Sequence, residues 1–324
     1  MISDDNLLFI FSLPRSGSTL LQRSLAAQAG FFTAPETWML VKLMGGISGI
    51  SEYSEYGGMW ANKGASEFYN NERLGKIKTL SILGKSYLAM LSETFPEHEG
   101  KYFIEKTPRN GLIVESIIEA FPRAKFIFLW RHPAAIIHSM NKTWSRGHWH
   151  FRSEIDLELG WHRLIKAKKE LGERAISINY EQLTGNYDRS LRTCLEYLGL
   201  PASSINQPLV DVSGSESTMG DKSGLQKYGK NVRNDDAWLE GFENIYRRFL
   251  LSRYYQAAGR QKLNLVGYSN ESLDQALASK QYLDKYLLHD ILRNFYSQVF
   301  FKTGLELAAR RIVKAETRRR FGLY

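Results

Sequence analysis

A polar loop, PRSGST at positions 14 to 19, joins an apolar run to a stretch with helical periodicity. A glycine-containing turn at the start of a helix aims unpaired backbone N–H groups and the positive end of the helix dipole at an anion. The loop therefore predicts a binding site for a phosphate or sulfate group. It departs from the GxxxxGK[ST] pattern of P-loop kinases, because Ser18 follows Gly17 where lysine is usual and Arg15 supplies the cation.

A second candidate anion site combines Arg131 and Ser139, which lie eight residues apart in FIFLWRHPAAIIHS. Arg131 ends an apolar, strand-like run, and Pro133 suits the first position of a helix. Both groups should therefore lie at the sheet edge where open α/β folds bind ligands. An arginine and a serine at this spacing are more often structural when found alone. Found in order after the first loop, the pair becomes a more specific signal.

Together these two elements resemble those of the sulfotransferase superfamily over roughly residues 6 to 245. The pattern is most similar to the branch of protein-tyrosine sulfotransferases and related bacterial enzymes. The resemblance implies that the donor is 3′-phosphoadenosine 5′-phosphosulfate and that its 3′-phosphate binds Arg131 and Ser139. Its 5′-phosphosulfate is then expected to bind the matching loop residues Pro14, Arg15, Ser16, Gly17, Ser18 and Thr19.

The resemblance also implies roles for three single residues. Glu36, in APETW, lies 21 residues after Arg15 and matches the glutamate that serves the family as catalytic base. Lys106, in EKTP, resembles the lysine of the family's Asn-Lys-Asp-Pro motif. Tyr180, in NYEQL, resembles a tyrosine that contacts the nucleotide.

Two later residues and two departures complete the resemblance. Ser217 and Lys227, within GSESTMGDKSGLQKYGK, are assigned to the family's later serine and lysine. Pro35 replaces the first of two glutamates in the family's motif. The chain shows no match to the membrane anchor or the disulfide cysteines of the Golgi enzymes. The resemblance therefore implies the donor and the reaction and leaves the acceptor open.

The expected chemistry is transfer of a sulfuryl group to a hydroxyl or amine, catalysed by positioning and electrostatics. Glu36 is expected to accept the acceptor's proton, Lys106 to stabilise the bridging oxygen, and Arg15 to hold the phosphosulfate. The transferred group carries a single negative charge, so no metal is expected. A saccharide or a lipid-linked glycan is favoured as acceptor over a peptide tyrosine, and a small phenol or alcohol stays open.

Three other functions remain as alternatives. A P-loop small-molecule kinase should show a Mg²⁺-binding aspartate after an apolar strand. Instead, Glu and Lys follow the apolar residues of KYFIEKT, and Arg and His follow those of AKFIFLWRH. A non-catalytic anion-binding or nucleic-acid-binding module does not explain why Glu36 and Lys106 both stand at the expected places. A membrane adaptor explains the C-terminal sequence but leaves the ordered motifs of the first 180 residues without a role.

Strands that alternate with helices must position these residues. Four apolar runs of strand length are each followed by a helix-forming segment, at residues 6–11, 101–105, 124–130 and 175–180. This alternation predicts a three-layer, P-loop-like α/β fold with a mostly parallel central sheet. We expect a sulfotransferase domain over residues 1–267 and a helical C-terminal extension over 268–324.

Between these units the pattern is less regular. Residues 45–75 contain seven glycines without a clean period and predict a loop-rich insertion near the acceptor, and residues 76–95 predict a helix. Residues 203–234 are polar and predict a mobile flap, which a helix from Asp235 to about Ala258 should follow.

Charge is concentrated near the C-terminus. The net charge is +9, and residues 302–320 contribute +5 of it through seven Lys or Arg against two Glu. The remaining +4 suits a site for a small polyanion, and we expect no nucleic acid partner. The basic terminal stretch, with Phe300, Ile312 and other apolar residues, could lie at an anionic membrane surface, pack on the domain or bind a partner chain.

Composition and cysteine content indicate a cytoplasmic globular protein. Of the 324 residues, 43% are hydrophobic and 24% are charged, as in ordinary globular domains. Cys194 is the only cysteine, so an intramolecular disulfide is excluded, and the N-terminal residues lack the features of a signal peptide. We therefore expect a cytoplasmic location, with peripheral membrane contact as an open alternative.

Two further groups of residues receive structural interpretations. His148 and His150 have no carboxylate or cysteine at a suitable nearby spacing, so they predict no metal site. Trp144, Trp149 and Trp161 could stack on a sugar, but large aromatic side chains usually pack in cores, and the core interpretation is favoured.

Overall fold

The computed structural model describes residues 2–49, 58–70, 72–149, 155–201, 244–258, 263–269 and 286–302, with single positions between them. Five strands form one sheet: β1 (Leu7–Phe11), β2 (Phe31–Thr33), β3 (Tyr102–Glu105), β4 (Lys125–Trp130) and β5 (Ala175–Asn179). Their order is β2-β3-β1-β4-β5, and every pair is parallel. The predicted α/β fold with a parallel central sheet is therefore confirmed.

Nine helices belong to the main part of the described chain. They are α1 (Ser18–Ala26), α2 (Met39–Met44), α3 (Gly58–Tyr69), α4 (Gly75–Thr94), α5 (Val114–Ala120), α6 (Pro133–Trp144), α7 (Trp161–Leu171), α8 (Tyr180–Gly185) and α9 (Tyr187–Tyr197). Two more follow later in the chain, α10 (Ile245–Ala258) and α11 (Leu287–Lys302). Short 3₁₀ helices lie at Asp4–Asn6, Pro96–His98, Pro108–Ile113 and Gly172–Arg174, and a π-helical turn at Asp156–Gly160 precedes α7.

The central strand β1 shows why the fold has three layers. Alternate residues of a strand point to opposite faces of the sheet. Phe9 and Phe11 enter one buried cluster with residues of α2, α4, α5, α6 and α7, whereas Leu8 and Ile10 enter a second cluster with α1, α8 and α9. All five β1 side chains are buried, which explains the uninterrupted apolar sequence.

Several elements differ from the sequence-based predictions. The three-residue strand β2 was not predicted, because a run as short as Phe31–Thr33 has no readable period. Residues 45–75 are not only loop, since α3 lies within them; its glycines mask a helical pattern. Strand β5 ends at Asn179, one residue earlier than predicted, and Tyr180 begins α8. The described helix α10 begins at Ile245, whereas the prediction began at Asp235.

The C-terminal edge of the sheet is where the predicted functional residues collect. Strands β2 and β3 lie on one side of β1 in the sheet, and β4 and β5 lie on the other side. The direction of winding therefore reverses beside β1, and such a point in an open α/β sheet is where ligands bind. The domain boundary at residue 267 stays a prediction.

Candidate active site

The loop after β1 is held in an unusual backbone conformation. Arg15 has φ 66° and Gly17 has φ 87°, both in the left-handed region. Gly17 is the N-cap of α1, and it has no side chain with which to cap the helix start. A Cβ atom at Gly17 would lie 2.4 Å from the ring of Tyr180, so only glycine allows this approach. The loop therefore brings the start of α1 and the start of α8 together.

Residues from β4 and α6 close the other side of this loop. The Arg131 guanidinium donates a hydrogen bond to the Arg15 carbonyl at 2.8 Å and lies over the Tyr180 ring, 4.2 Å from its centroid. The Arg15 Nε donates to Ser139 Oγ at 3.2 Å. Residues that the sequence assigned to separate phosphate sites thus contact one another.

Glu36 and Lys106 form an ion pair beside the loop. Lys106 Nζ lies 2.7 Å from Glu36 Oε1 and also donates to Thr19 Oγ1 at 3.3 Å. The Lys106 side chain is almost fully buried, and that of Glu36 is 15% exposed. A carboxylate that can accept a proton and a cation that can neutralise developing charge therefore stand next to the anion-binding loop.

Glu36 reaches this position through the segment that follows β2. Gln22, buried on α1, donates its side-chain amide to Thr33 Oγ1 at 2.7 Å and to the Ala34 carbonyl at 3.0 Å. Thr33 Oγ1 in turn donates to the Ile104 carbonyl of β3 at 2.8 Å. The segment that carries Glu36 is therefore tied to α1 and to the strand that carries Lys106.

Unsatisfied polar atoms at the cleft fit a ligand with two phosphate groups. Arg131 Nε and Ser16 Oγ are buried and have no hydrogen-bond partner within the described part of the chain. Buried polar groups are nearly always paired, so each such atom needs a partner that the described residues do not supply. Together with the backbone N–H groups at the start of α1, they form a set of donors suited to anionic oxygens.

His132 follows Arg131 and was not predicted to have a role. Its ring stacks on Trp238, with centroids 4.6 Å apart, and meets the Tyr268 ring edge-on at 5.6 Å. Burial, and then the charge of Arg131, lower its pKa to about 4. The His132 backbone N–H donates to Glu181 at 3.2 Å, and Tyr268 donates to the same carboxylate at 2.5 Å. This cluster fixes the end of β4 from which Arg131 projects.

Glu105 is a buried carboxylate beside the site that the sequence reasoning missed. It is the last residue of β3, directly before Lys106, and its carboxylate is fully buried. Burial raises its pKa, and hydrogen bonds from Tyr87, Thr107, Thr37 and Asn110 oppose that rise. The available signal was a charged residue at the C-terminal end of an otherwise apolar strand.

Two predicted residues lie outside the described residues: Ser217 and Lys227. The remaining loop residue, Pro14, is buried between β1 and Arg15. The roles given to all the site residues stay predictions, although the structure brings together those from Pro14 to Thr19 with Glu36, Lys106, Arg131, Ser139 and Tyr180.

His148, which was predicted not to bind a metal, lies close to two possible metal ligands from a distant part of the sequence. His148, His289 and Asp290 offer ligand atoms within 4.8 Å of one another. The Asp290 carboxylate already accepts a hydrogen bond from Arg247 Nε at 2.6 Å and another from the Trp149 N–H at 3.2 Å. Both oxygens of the Asp290 carboxylate thus already accept hydrogen bonds, so this cluster supports no metal proposal. His150 lies outside the described residues.

The three tryptophans have different environments. Trp149 and Trp161 are buried in the core, as favoured by the sequence interpretation. Trp144, at the end of α6, is 43% exposed and so is not a core residue. Trp144 lies there beside the exposed polar residues Lys142 and Thr143.

Comparisons with known proteins identify the family of the chain. The model of the Sulfotransferase family matches residues 8–204, more than half of the chain. Protein-tyrosine sulfotransferase 1 of Danio rerio is 26% identical over 205 residues, which cover 61% of this chain and 54% of that protein. Nodulation protein NoeE of Sinorhizobium fredii is 29% identical over 136 residues, covering 42% and 31%. The chain thus spans about half or less of the length of these two relatives.

A solved structure also shows a distant likeness. The mouse sulfotransferase SULT7A1, solved in complex with PAP, aligns with a TM-score of 0.47 at 14% identity. The alignment covers 85% of this chain and 89% of the mouse protein.

Proposed function

The chain belongs to the sulfotransferase family, and on that premise we propose that it transfers a sulfuryl group from 3′-phosphoadenosine 5′-phosphosulfate to a hydroxyl or amine acceptor. The observation that carries the proposal is the 2.7 Å ion pair between Glu36 and Lys106 beside the anion-binding loop. A site that only bound anions would gain nothing from a carboxylate at this position, because the carboxylate repels them.

Donor binding is assigned to residues at the ends of β1 and β4. The loop amides at the start of α1, with Arg15, would hold the 5′-phosphosulfate. Arg131 and Ser139 would hold the 3′-phosphate, and Tyr180 would lie against the nucleotide. Arg131 Nε and Ser16 Oγ, which are buried without a partner among the described residues, support this assignment.

Catalysis is assigned to Glu36 and Lys106. When bound, the donor supplies an activated sulfuryl group, whose bond to the phosphate oxygen breaks as the acceptor atom attacks sulfur. Glu36 would accept the proton that the acceptor loses, and Lys106 would stabilise the negative charge left on the phosphate oxygen. Their contact supports a shared task, because the base and the cation that neutralises the leaving oxygen must act in the same transfer step.

The proposed acceptor is a saccharide or a lipid-linked glycan. Relatives of this chain include protein-tyrosine sulfotransferases and a nodulation protein, so a peptide tyrosine and other hydroxyl compounds belong in any test. The sequence-based preference for a glycan rests on the expected cytoplasmic location, which is itself a proposal.

Transfer of ³⁵S from labelled donor to a panel of acceptors tests the proposal. The panel contains oligosaccharides, a lipid extract, a tyrosine peptide and 2-naphthol. We expect at least one labelled product, and Glu36→Gln should lower its formation about 10²- to 10⁴-fold, the usual value of general-base assistance. Glu119→Gln, at an exposed position on α5, is the matched control. Equal rates for wild type and Glu36→Gln would contradict the role of Glu36.

We further propose that α11 places the protein on an anionic membrane surface. Among the described helices, none is long and apolar enough to cross a membrane. On α11, however, the polar Asp290 and Asn294 are buried against the domain, and all the exposed described side chains except His289 are apolar. The exposed apolar residues are Leu288, Ile291, Leu292, Phe295, Tyr296 and Val299.

A helix with buried polar and exposed apolar side chains needs an apolar partner for its exposed side. Soluble proteins rarely expose a continuous apolar stripe of this kind. Phe249 on the neighbouring α10 is 61% exposed and extends the stripe. Residues 302–320, which follow in the sequence, carry a net charge of +5; this charge favours an anionic lipid surface over a second copy of the same basic chain.

Co-sedimentation with vesicles tests the membrane proposal. We expect the full chain to bind vesicles of phosphatidylglycerol and phosphatidylcholine and to bind pure phosphatidylcholine poorly. The double variant Leu292→Gln, Phe295→Gln should weaken binding about tenfold or more. The control Ile77→Gln, at an exposed position on α4, should bind like wild type. Unchanged binding of the double variant, or a dimer that this variant dissociates, would contradict the proposal.

A further inference from the structure

The carboxylate of Glu105 is saturated by four hydrogen-bond donors. Oε2 accepts from the Tyr87 hydroxyl at 2.6 Å and from Thr37 Oγ1 at 3.2 Å. Oε1 accepts from Thr107 Oγ1 at 2.8 Å and from Asn110 Nδ2 at 3.2 Å. A buried carboxylate is costly unless it is paired in this way, so the cluster forms as a unit.

The donors join separate parts of the chain at the active site. Thr37 follows Glu36 directly, and Glu105 and Thr107 are the two neighbours of Lys106. The Thr37–Glu105 contact bridges 68 residues of sequence. It therefore links the backbone that carries the proposed base to the backbone that carries the proposed cation. Thr37 Oγ1 also accepts from the Met39 N–H at 3.4 Å, at the start of α2.

We propose that Glu105 is a positioning residue, which fixes the segment carrying Glu36 against the end of β3 through Thr37. The effect of Glu105 on catalysis rests on the proposed function, because it requires that Glu36 and Lys106 act together. The geometric part is independent of the reaction: without the Thr37–Glu105 bond, the segment from Ala34 to Trp38 should open more often.

Tyr87 provides the matched comparison. Its hydroxyl donates to the same oxygen, Oε2, and also interacts with the Thr37 side chain, but it comes from α4, and its loss leaves the Thr37–Glu105 bond in place. Burial, and then the charge of Glu105, raise the pKa of Tyr87 well above its usual range, so the hydroxyl keeps its proton and remains a donor. Loss of either hydroxyl removes one donor from Glu105, but only loss of the Thr37 hydroxyl removes a hydrogen bond that the Glu36 segment itself makes to Glu105.

Hydrogen exchange followed by mass spectrometry tests the geometric part in the full chain without any acceptor. The variants are Thr37→Val, Thr37→Ser, Tyr87→Phe and Glu105→Gln. Thr37→Val and Glu105→Gln should speed amide exchange across residues 34–38 by about 5- to 10-fold, as expected for the loss of one hydrogen bond. Thr37→Ser keeps the hydroxyl and should exchange like wild type, and so should Tyr87→Phe in this segment.

Two results would overturn the inference. One is wild-type exchange at residues 34–38 in Thr37→Val. The other is equally fast exchange there in Tyr87→Phe, which would mean general loosening. If Glu105→Gln fails to fold, the comparison of amide exchange in Thr37→Val and Thr37→Ser still tests the inference.

Titration with 3′-phosphoadenosine 5′-phosphate, which should bind all folded variants alike, separates the two proposals. Absence of binding in wild type would count against the proposed function alone. With an acceptor in hand, Thr37→Val should lower turnover and leave KM for the donor unchanged, and Tyr87→Phe should change neither.

Discussion

At the scale of single residues, the absence of a side chain at Gly17 matters as much as the charged groups around it. Its positive φ and its contact with Tyr180 allow the loop to pass between α1 and α8. The Tyr180 ring in turn supports the Arg131 guanidinium. A change at Gly17 should therefore disturb a residue that lies more than a hundred positions away in sequence.

Gly17→Ala separates backbone strain from steric contact when it is compared with Gly30→Ala. Both glycines have φ near 90°, but a Cβ at Gly30 would meet nothing within 4 Å. Each substitution should lower the free energy of unfolding by about 1–2 kcal/mol for the backbone alone. Gly17→Ala should also displace Tyr180 and weaken binding of 3′-phosphoadenosine 5′-phosphate about tenfold or more, equivalent to 1.4 kcal/mol.

Urea unfolding and calorimetry measure the two effects. Equal affinity for the nucleotide in Gly17→Ala and Gly30→Ala would contradict the assigned role of the Gly17–Tyr180 contact.

The site residues that could be predicted from sequence are those that lie in a short motif or directly after a strand. Arg15 and Gly17 belong to one short motif, and Lys106 and Arg131 each follow an apolar strand directly. Glu105 escaped because its role depends on Thr37 and Tyr87, whose distances from it in sequence are not fixed by any local period. The contact of His148 with His289 was missed for the same reason.

At the scale of secondary structure elements, the junction of β4 and α6 has a built-in pH dependence. His132 lies in an aromatic cluster there, and its pKa is lowered from 6.5 to about 4 by burial and by Arg131. Between these values the unfolded chain binds a proton that the folded chain does not. The contribution of His132 to stability is therefore present above pH 6.5 and is lost as the pH falls toward 4.

His132→Phe should remove this dependence. Neither ring nitrogen of His132 has a hydrogen-bond partner in the described structure, so phenylalanine removes no bond and keeps a ring against Trp238. The difference in free energy of unfolding between variant and wild type should shift in favour of the variant by up to about 3 kcal/mol between pH 7 and pH 4. Urea titrations at several pH values measure it.

His98→Phe serves as the control, because its ring also stacks on an aromatic partner, Phe32. A difference between His132→Phe and wild type that stays constant across this pH range would show that His132 does not titrate as described.

The elements predicted correctly from sequence were the long and strongly apolar ones. Strands β1, β3 and β4 were found within one residue of their bounds, because buried parallel strands are continuous apolar runs. Strand β2 and helix α3 were missed: one is too short to show a period, and the glycines of the other resemble those of a loop. The sheet order depends on contacts between strands and could not be read from any one segment.

At the scale of the whole molecule, the five strands end at one edge and each supplies a residue to the site. The loop after β1 carries Arg15, β2 leads to Glu36, β3 to Lys106, β4 to Arg131, and β5 to Tyr180. Such convergence explains why residues from 165 positions of sequence can act on one ligand. It also makes the site dependent on correct assembly of the complete sheet.

The central claim is that this edge binds a nucleotide with both a 3′- and a 5′-phosphate. Calorimetric titration with 3′-phosphoadenosine 5′-phosphate tests it without an acceptor, with ATP and Mg²⁺ as the comparison ligand. We predict tight binding of the former, weak binding of ATP, and a loss of about 10- to 100-fold in Arg15→Ala and in Arg131→Ala, as for charged hydrogen bonds. Arg192→Ala, at an exposed position on α9, should bind like wild type. No binding of the bisphosphate, or a preference for ATP, would contradict the account.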